Sequence, residues 1–295
     1  MIPDTFEYFA PTSLRAAIGL LGEHAGEAKL LAGGQSLIPL MKFRLATPAY
    51  LVDLRQVPGL DTLAERDGGL VIGAMVRETA LETSDLVHRR YPGLADTSAV
   101  VADPLVRNFA TVGGNLAHGD PANDHPAMML ALGASVVAEG PNGQRRITID
   151  DLMVDALETS LAPEEVLVEI AVPAPAAHTG SAYVKLERKV GDYAIVGVAA
   201  RVTLDGDTCA AAGLGLTNVG STAIRPREAE RFLVGKRLDE ETLREAGRLA
   251  GQAAQPSDDL RGPAEYKRAM VGTLTVRALR AAAARARNGL EGAAQ

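Results

Sequence analysis

The chain has 295 residues, 47% of them hydrophobic, with 30 basic against 37 acidic side chains and a formal charge of −7. That is enough apolar material for one large or two smaller domains, and a net negative chain carries no electrostatic footprint for nucleic acid. The most apolar run, Ala127–Ala138, is well short of the roughly 20 residues of a spanning helix, and the opening MIPDTFEYF has no secretory pattern, so a cytoplasmic protein without a transmembrane segment is expected.

In chain order, Ser13–His24 has apolar residues at helical spacing, and the strand-like run Lys29–Ala32 ends at Gly33-Gly34. A strand at Leu51–Leu54 closes this unit. The spacing next predicts a strand at Leu70–Met75, helical stretches at Thr79–Val87 and Gly93–Val101, and a second glycine pair, Gly113-Gly114, inside FATVGGNLAHGDP. A helix over Ala122–Leu132 is expected to start behind Asp120-Pro121, with proline in its first turn. The segments Ala134–Glu139 and Arg145–Ile149 flank Pro-Asn-Gly, a hairpin signal.

Beyond Pro173 the pattern changes. PAPAAHTGS, Pro173–Ser181, reads as a linker. Strands follow at Ala182–Lys189, Ile195–Leu204 and Thr208–Thr217, then helices at Arg225–Val234, Glu240–Gln252 and Ala264–Ala284. Met270, Leu274 and Ala278 share a face of the last helix and read as core, while Arg277, Arg280, Arg285 and Arg287 read as a solvated face. The single cysteine, Cys209, excludes an internal disulfide and an iron–sulfur cluster held by this chain alone. It is expected as a small buried hydrophobe, so any redox cofactor here is organic.

The two glycine pairs ask for a common reason. Glycine admits positive φ and close backbone approach, and successive N–H groups aimed into one concavity make a nest for phosphate oxygens. Gln35 and Ser36 at the first pair and Thr111 and Asn115 at the second are neutral donors, which suits a pyrophosphate approached from two sides; ordinary tight turns are the plainer reading. Rival motifs fail. GLGLTNVG misses the Rossmann spacing at Asn218, no P-loop occurs, and Gly34-Gln35-Ser36 lacks the closing glycine of a nucleophile elbow, because Ile38 stands there. The group His118, Asp120, Asp124 and His125 is broken by Pro121 and Pro126 and has no i, i+4 histidine pair, so no metal site is expected. Asp120 and Asp124 read as helix-start charges, or Asp124 as an acceptor for ligand hydroxyls.

AGGQS at Ala32–Ser36, TVGGN at Thr111–Asn115, the following GDPANDHPAMMLALGA and KLERKVGDYAIVGVAA from Lys185 together resemble the FAD-binding medium subunit of the molybdenum hydroxylases. GLTNVGST and GPAEYKRAM carry the likeness to the C-terminal third, closest to the carbon monoxide dehydrogenase branch. The resemblance implies an α+β fold: a vanillyl-alcohol-oxidase (PCMH)-type FAD-binding domain over residues 1–176, in subdomains of about 1–56 and 57–176, and a C-terminal domain over 177–289 with a small antiparallel sheet and a helical bundle. It implies FAD held through Ala32, Gly33, Gly34, Gln35, Ser36 and Leu37 on one side and Thr111, Gly113, Gly114 and Asn115 on the other. Asp124 is implied on a sugar or ribityl hydroxyl, with Lys185, Asp192 and Tyr193 around the isoalloxazine. An ammonium near the flavin favours its anionic reduced form, and a tyrosine ring can cover one face; from the residues alone, Lys185 as a strand-surface lysine and Tyr193 as a core aromatic stay open. Gln35 stands where a close relative can carry histidine, so no titrating role is available there.

The implied role is electron transfer. Substrate is oxidised at a molybdenum cofactor on a large partner subunit, electrons cross [2Fe-2S] clusters on a small one, and FAD here passes them to a quinone, NAD or another acceptor. A heterohexamer, a dimer of heterotrimers, is the implied assembly, with peripheral membrane association through partners as a further expectation. Open alternatives are a stand-alone FAD-dependent oxidoreductase of the same superfold, the FAD subunit of a xanthine- or aldehyde-type hydroxylase, and a nucleotide-binding module without redox chemistry.

Overall fold

The computed structural model describes residues 2–292. Its first unit is a three-stranded parallel sheet in the order Glu7–Phe9, Tyr50–Asp53, Ala28–Leu31. Parallel strands need crossover connections, and the helix Leu14–Glu23 supplies the one between the two outer strands, Glu7–Phe9 and Ala28–Leu31. Ser13 caps this helix, its side chain accepting from the Ala16 N–H, and Ala17 and Leu21 bury its inner face. A short helix, Leu37–Lys42, follows the first glycine pair.

The second unit is a five-stranded antiparallel sheet in the order Leu63–Arg66, Gly69–Gly73, Val166–Val172, Ser135–Gly140, Gly143–Thr148. The expected hairpin at Pro141-Asn142 joins its last two strands. The helices between Glu78 and Leu132 pack on this sheet around Leu70, Ile72, Leu94, Met128 and Ile170. The stretch expected as one helix over Thr79–Val87 is two, Glu78–Thr83 and Asp85–Arg90. Ser84 takes extended backbone at the junction, and its hydroxyl caps the second helix through the Val87 N–H. A serine that can bond its own downstream backbone competes with helix continuation.

The expected helix Ala122–Leu132 begins only at His125. Asp120 holds a turn, its carboxylate accepting from the Ala122 N–H and its carbonyl from the Asn123 N–H, so Pro126 rather than Pro121 sits in the first helical turn. All eight residues of His125–Leu132 are buried, as befits a helix apolar all round.

The third unit is a three-stranded antiparallel sheet of Thr179–Leu186, Val196–Asp205 and Thr208–Thr217, covered by the helices Arg227–Leu233, Glu240–Ala253 and Ala264–Gly292. The presumed linker ends early, since its last three residues, from Thr179, already belong to the first strand. Gly213 and Gly215, idle as a nucleotide motif, let the helix His125–Leu132 lie directly on this sheet: a Cβ at either would fall 2.1 or 2.0 Å from the carbonyl oxygens of Ala131 and Ala127. That contact sets the N-terminal end of the buried helix against the strand that carries Tyr183 and Lys185. Cys209 is buried in a strand. Leu274 and Ala278 are core, with Met270 packed against it. Arg285, expected in solvent, instead bonds the Asp96 carboxylate at 2.5 and 3.0 Å and the Ser181 carbonyl at 2.6 Å, tying the last helix to the second unit.

Candidate functional site

The strand Ala28–Leu31 runs into Ala32-Gly33-Gly34-Gln35-Ser36, where Gly34 takes a left-handed φ of 72°. The Gln35 side-chain amide donates to the Gly33 carbonyl at 3.2 Å. The backbone N–H groups of Gly33, Gly34, Gln35, Ser36 and Leu37 find no acceptor among the described residues. Backbone donors rarely stay unpaired unless water or a ligand takes them, so this turn is an open nest.

The second glycine pair differs from the sequence reading. It follows no strand; only an isolated bridge joins Thr111 to Arg77, and Gly113 and Gly114 lie in the first turn of the helix Val112–His118. Its N–H groups are already engaged: Val112 to the Val76 carbonyl, Gly113 to Ala74, Asn115 to Thr111, and Gly114 to the Thr111 hydroxyl. There is one nest, not two. The second pair is small for a different reason, close approach. A Cβ at Gly113 would stand 2.6 Å from Ala74 backbone atoms, and one at Gly114 2.7 Å from Thr111 Oγ1 and 3.6 Å from the Ala32 Cβ. Gly33 in turn abuts the Phe109 carbonyl, which a Cβ would meet at 2.2 Å. Glycines on both segments therefore hold the two against each other. Beside them, Asn115 Oδ1 is buried without a partner among the described residues.

One cleft of about 850 Å3 runs along this junction, within the size range of cofactor sites. Its wall includes the apolar side chains of Leu30, Leu161, Pro163 and Leu167, both glycine segments, and Asp124, Lys185, Gly191, Asp192 and Tyr193. Every residue named above as a candidate for FAD lies on its wall, from Ala32 to Leu37, at Thr111, Gly113, Gly114 and Asn115, and at Asp124, Lys185, Asp192 and Tyr193. A smaller cavity of about 540 Å3, lined by Arg55, Asp61, Arg77 and Phe109, shares Ala32 to Gln35 and Thr111 with this cleft.

Charge around Lys185 is tightly organised. The Lys185 side chain is only 3% exposed, so it is not a strand-surface lysine. Its ammonium donates to Asp124 Oδ2 at 3.0 Å and to the Val100 carbonyl at 2.9 Å, with Glu187 at 3.6 Å. The Tyr183 hydroxyl donates to Asp124 Oδ1 at 2.7 Å and lies 3.0 Å from Thr217 Oγ1. Burial pushes the Asp124 carboxyl above its ordinary value, against the pull of Lys185 and Tyr183; burial and the Asp124 charge push the Tyr183 phenol well up. Asp192 goes the other way. Burial raises it, but hydrogen bonds from Arg188, Arg261 and the Tyr193 N–H outweigh that and hold it at about 2. Tyr193 is 43% exposed at the rim, not a core aromatic.

His118, Asp120, Asp124 and His125 are not gathered around one point. His125 turns inward, fully buried, its Nε2 2.7 Å from Glu78 Oε2, where the Ser98 hydroxyl also donates. No group of three or more metal-ligating side chains occurs among the described residues. Burial disfavours the charged imidazole, but Glu78, by charge and hydrogen bond, and Asp124 overcome this and raise its pKa above the ordinary 6.5. A raised folded-state pKa contributes stability that is complete below 6.5 and is lost as pH rises through the folded value. In urea titrations at constant FAD saturation, His125→Gln is therefore expected to lose most stability against wild type near pH 6 and progressively less toward pH 9. A gap that grows with pH would show that the fold holds His125 neutral, and a gap independent of pH that its pKa is the same folded and unfolded.

Sequence reading missed Tyr183, Thr217 and Arg261. Tyr183 was within reach, two residues before Lys185 and so on the same face of a strand. Arg261 had no local signal, because it meets Asp192 only through the fold.

The chain matches the family model described as the FAD binding domain in molybdopterin dehydrogenase over residues 4–175, and that of the CO dehydrogenase flavoprotein C-terminal domain over 181–282. It is 46% identical to the carbon monoxide dehydrogenase medium chain of Hydrogenophaga pseudoflava, covering 97% of this chain and 99% of that one. It is 38% identical to the 6-hydroxypseudooxynicotine dehydrogenase complex subunit alpha of Paenarthrobacter nicotinovorans, over 97% of each. Among solved structures it superimposes with a TM-score of 0.95, at 47% identity and 97% and 99% coverage, on the H. pseudoflava carbon monoxide dehydrogenase that lacks the Mo-pyranopterin moiety of its molybdenum cofactor.

Proposed function

The chain belongs to the family of FAD-binding subunits of the molybdopterin dehydrogenases, and from that premise we propose that it carries the FAD of a carbon monoxide dehydrogenase complex. Carbon monoxide and water would give carbon dioxide, two protons and two electrons at the molybdenum centre of a large partner. Iron–sulfur clusters of a small partner would relay the electrons here, and a quinone, NAD or another carrier would take them away. The observation that carries this reading is one cleft whose wall brings together the turn of open N–H groups, the second glycine segment and the charged group of Asp124, Lys185 and Asp192 with Tyr193.

The residues fit the cofactor. The free N–H groups of Gly33 to Leu37 would donate to the pyrophosphate oxygens, with the Thr111 hydroxyl and the Asn115 amide beside them. Gly113 and Gly114 let this segment pack closely on Ala74, Thr111 and Ala32, which keeps it beside the first turn. Asp124 has both carboxylate oxygens engaged by Tyr183 and Lys185 but retains lone pairs for a ribityl hydroxyl. Lys185, Asp192 and Tyr193 would surround the isoalloxazine. When bound, FAD supplies a centre that exchanges electrons singly or in pairs. With one cysteine, buried, the chain holds no cluster of its own, so those electrons come from a partner.

The proposed organisation is 1–176 for FAD, in subdomains of about 1–56 and 57–176, and 177–289 for the C-terminal domain, within a dimer of heterotrimers. No helix among the described residues is long and apolar enough to cross a membrane, and the proposed location is cytoplasmic. The test is the visible spectrum of the chain purified from its native host with whatever accompanies it. Flavin bands at about 450 nm over a broad iron–sulfur shoulder are expected. Flavin bands from a lone chain would replace this reading by a stand-alone oxidoreductase, and a colourless intact complex would refute both.

A further inference from the structure

The segment 187–195 joins two strands of the third sheet and brings Asp192 and Tyr193 to the rim of the cleft. Gly191 takes a φ of 86°, and a Cβ there would be 3.2 Å from the Ala102 carbonyl on the opposite wall. The Asp192 carboxylate then receives three donors: Arg188 Nε at 2.9 Å, the Tyr193 N–H at 2.8 Å and, from a distant part of the chain, Arg261 Nη2 at 3.2 Å. The Arg261 guanidinium also stands over the Tyr193 ring, 5.4 Å from its centroid. One side chain thus grips both residues.

Arg261 is itself held in place. It lies between the helices Glu240–Ala253 and Ala264–Gly292, in a turn where Asp259 accepts from the N–H groups of Arg261 and Gly262 and pairs with Lys267 at 2.7 Å. The Lys267 side chain is 2% exposed and bonds the Ser257 carbonyl as well. Arg188, by contrast, is 52% exposed, so its hold on Asp192 is weakened by water. Arg188 makes the shorter contact, but Arg261 is the better buried, at 25% exposure, and sits on a turn anchored in the helical bundle.

We propose that Arg261 is a positioning residue that fixes the Tyr193 ring over the flavin, so that the C-terminal bundle sets how far the isoalloxazine is covered. The proposal rests on the reading of the cleft as an FAD site with its isoalloxazine end at Tyr193. A planar guanidinium can stack on the ring and bond the carboxylate together; an ammonium is a point charge without that planar fork and holds both less well.

The test compares Arg261→Gln, Arg261→Lys and Tyr193→Ala in the assembled complex. FAD content is read by absorbance, and flavin cover by the fluorescence yield of bound FAD and its quenching by iodide. A tyrosine stacked on flavin suppresses the first and shields against the second. Arg261→Gln is expected to keep full FAD while yield and iodide quenching rise several-fold, approaching Tyr193→Ala, with Arg261→Lys between. A rise in Tyr193→Ala with none in Arg261→Gln would overturn the role of Arg261 alone. No rise in either would overturn the placement of Tyr193 on the flavin, and the proposal with it.

Discussion

Gly33→Ala is expected to lose FAD. The added methyl meets Phe109 O at 2.2 Å, Ala110 Cα at 2.8 Å and Phe109 C at 2.9 Å. All three are backbone atoms, so no side chain can rotate away. Either the turn lifts off the 109–110 segment or that segment retreats, and in both cases the free N–H groups from Gly33 to Leu37 no longer converge. Overpacking of this kind costs about 2–3 kcal/mol, roughly a hundredfold in affinity. The flavin-to-protein absorbance ratio after gel filtration of the complex measures it. A folded Gly33→Ala complex with normal flavin would move the pyrophosphate away from this turn. Gly114→Ala gives the contrast. Its methyl meets the Thr111 hydroxyl at 2.7 Å, and a side chain can turn aside, so the expected loss is one helix cap, about 1 kcal/mol, with FAD retained. Gly114→Val is expected to lose FAD, because β-branching adds bulk where Ala32 is already close.

The second large effect is at Lys185. Lys185→Met leaves the Asp124 carboxylate, with 6% of its side chain exposed, without its ammonium. Removing one partner of a buried ion pair costs about 3–5 kcal/mol, and Asp124, already raised by burial, should move higher still. Adding Asp124→Asn removes the orphaned charge, so the double variant should regain much of the stability lost, a coupling that a double-mutant cycle in urea reads directly. A double-variant loss equal to the sum of the Lys185→Met and Asp124→Asn losses would mean that the pair is not coupled in solution. The flavin potential should also fall in Lys185→Met, since a cation that favours the reduced anion is gone. The fall should be smaller than for a lone ammonium, because Asp124 and Glu187 at 3.0 and 3.6 Å already cancel part of its field. A redox titration of the complex measures that shift.

Much of this was legible along the chain. Helical spacing marked the helix around Leu14–Glu23 and the core face of the last helix, strand-like runs marked the three C-terminal strands, and AGGQS and TVGGN marked the walls of the cleft. These signals are local. They depend on spacing within a turn of helix or two residues of strand, which the order of side chains alone sets. Boundaries were less secure where a polar side chain redirected the backbone, as Ser84 and Asp120 do.

What only the tertiary structure decided is which groups were left unpaired. The two glycine pairs look equivalent in sequence, yet the N–H groups of one are free and those of the other are consumed by Ala74, Val76 and Thr111, partners fixed by how the second sheet meets the helix Val112–His118. Lys185 could have been a surface lysine until the packing of the helix His125–Leu132 on Gly213 and Gly215 carried Asp124 onto it. Arg261 reaches Asp192 across 69 residues. The sequence determines that the chain can build a phosphate-binding turn and bury a core; whether a donor, a charge or a ring faces the cleft depends on long-range packing, since a polar group takes its character from the partner that the fold supplies or withholds.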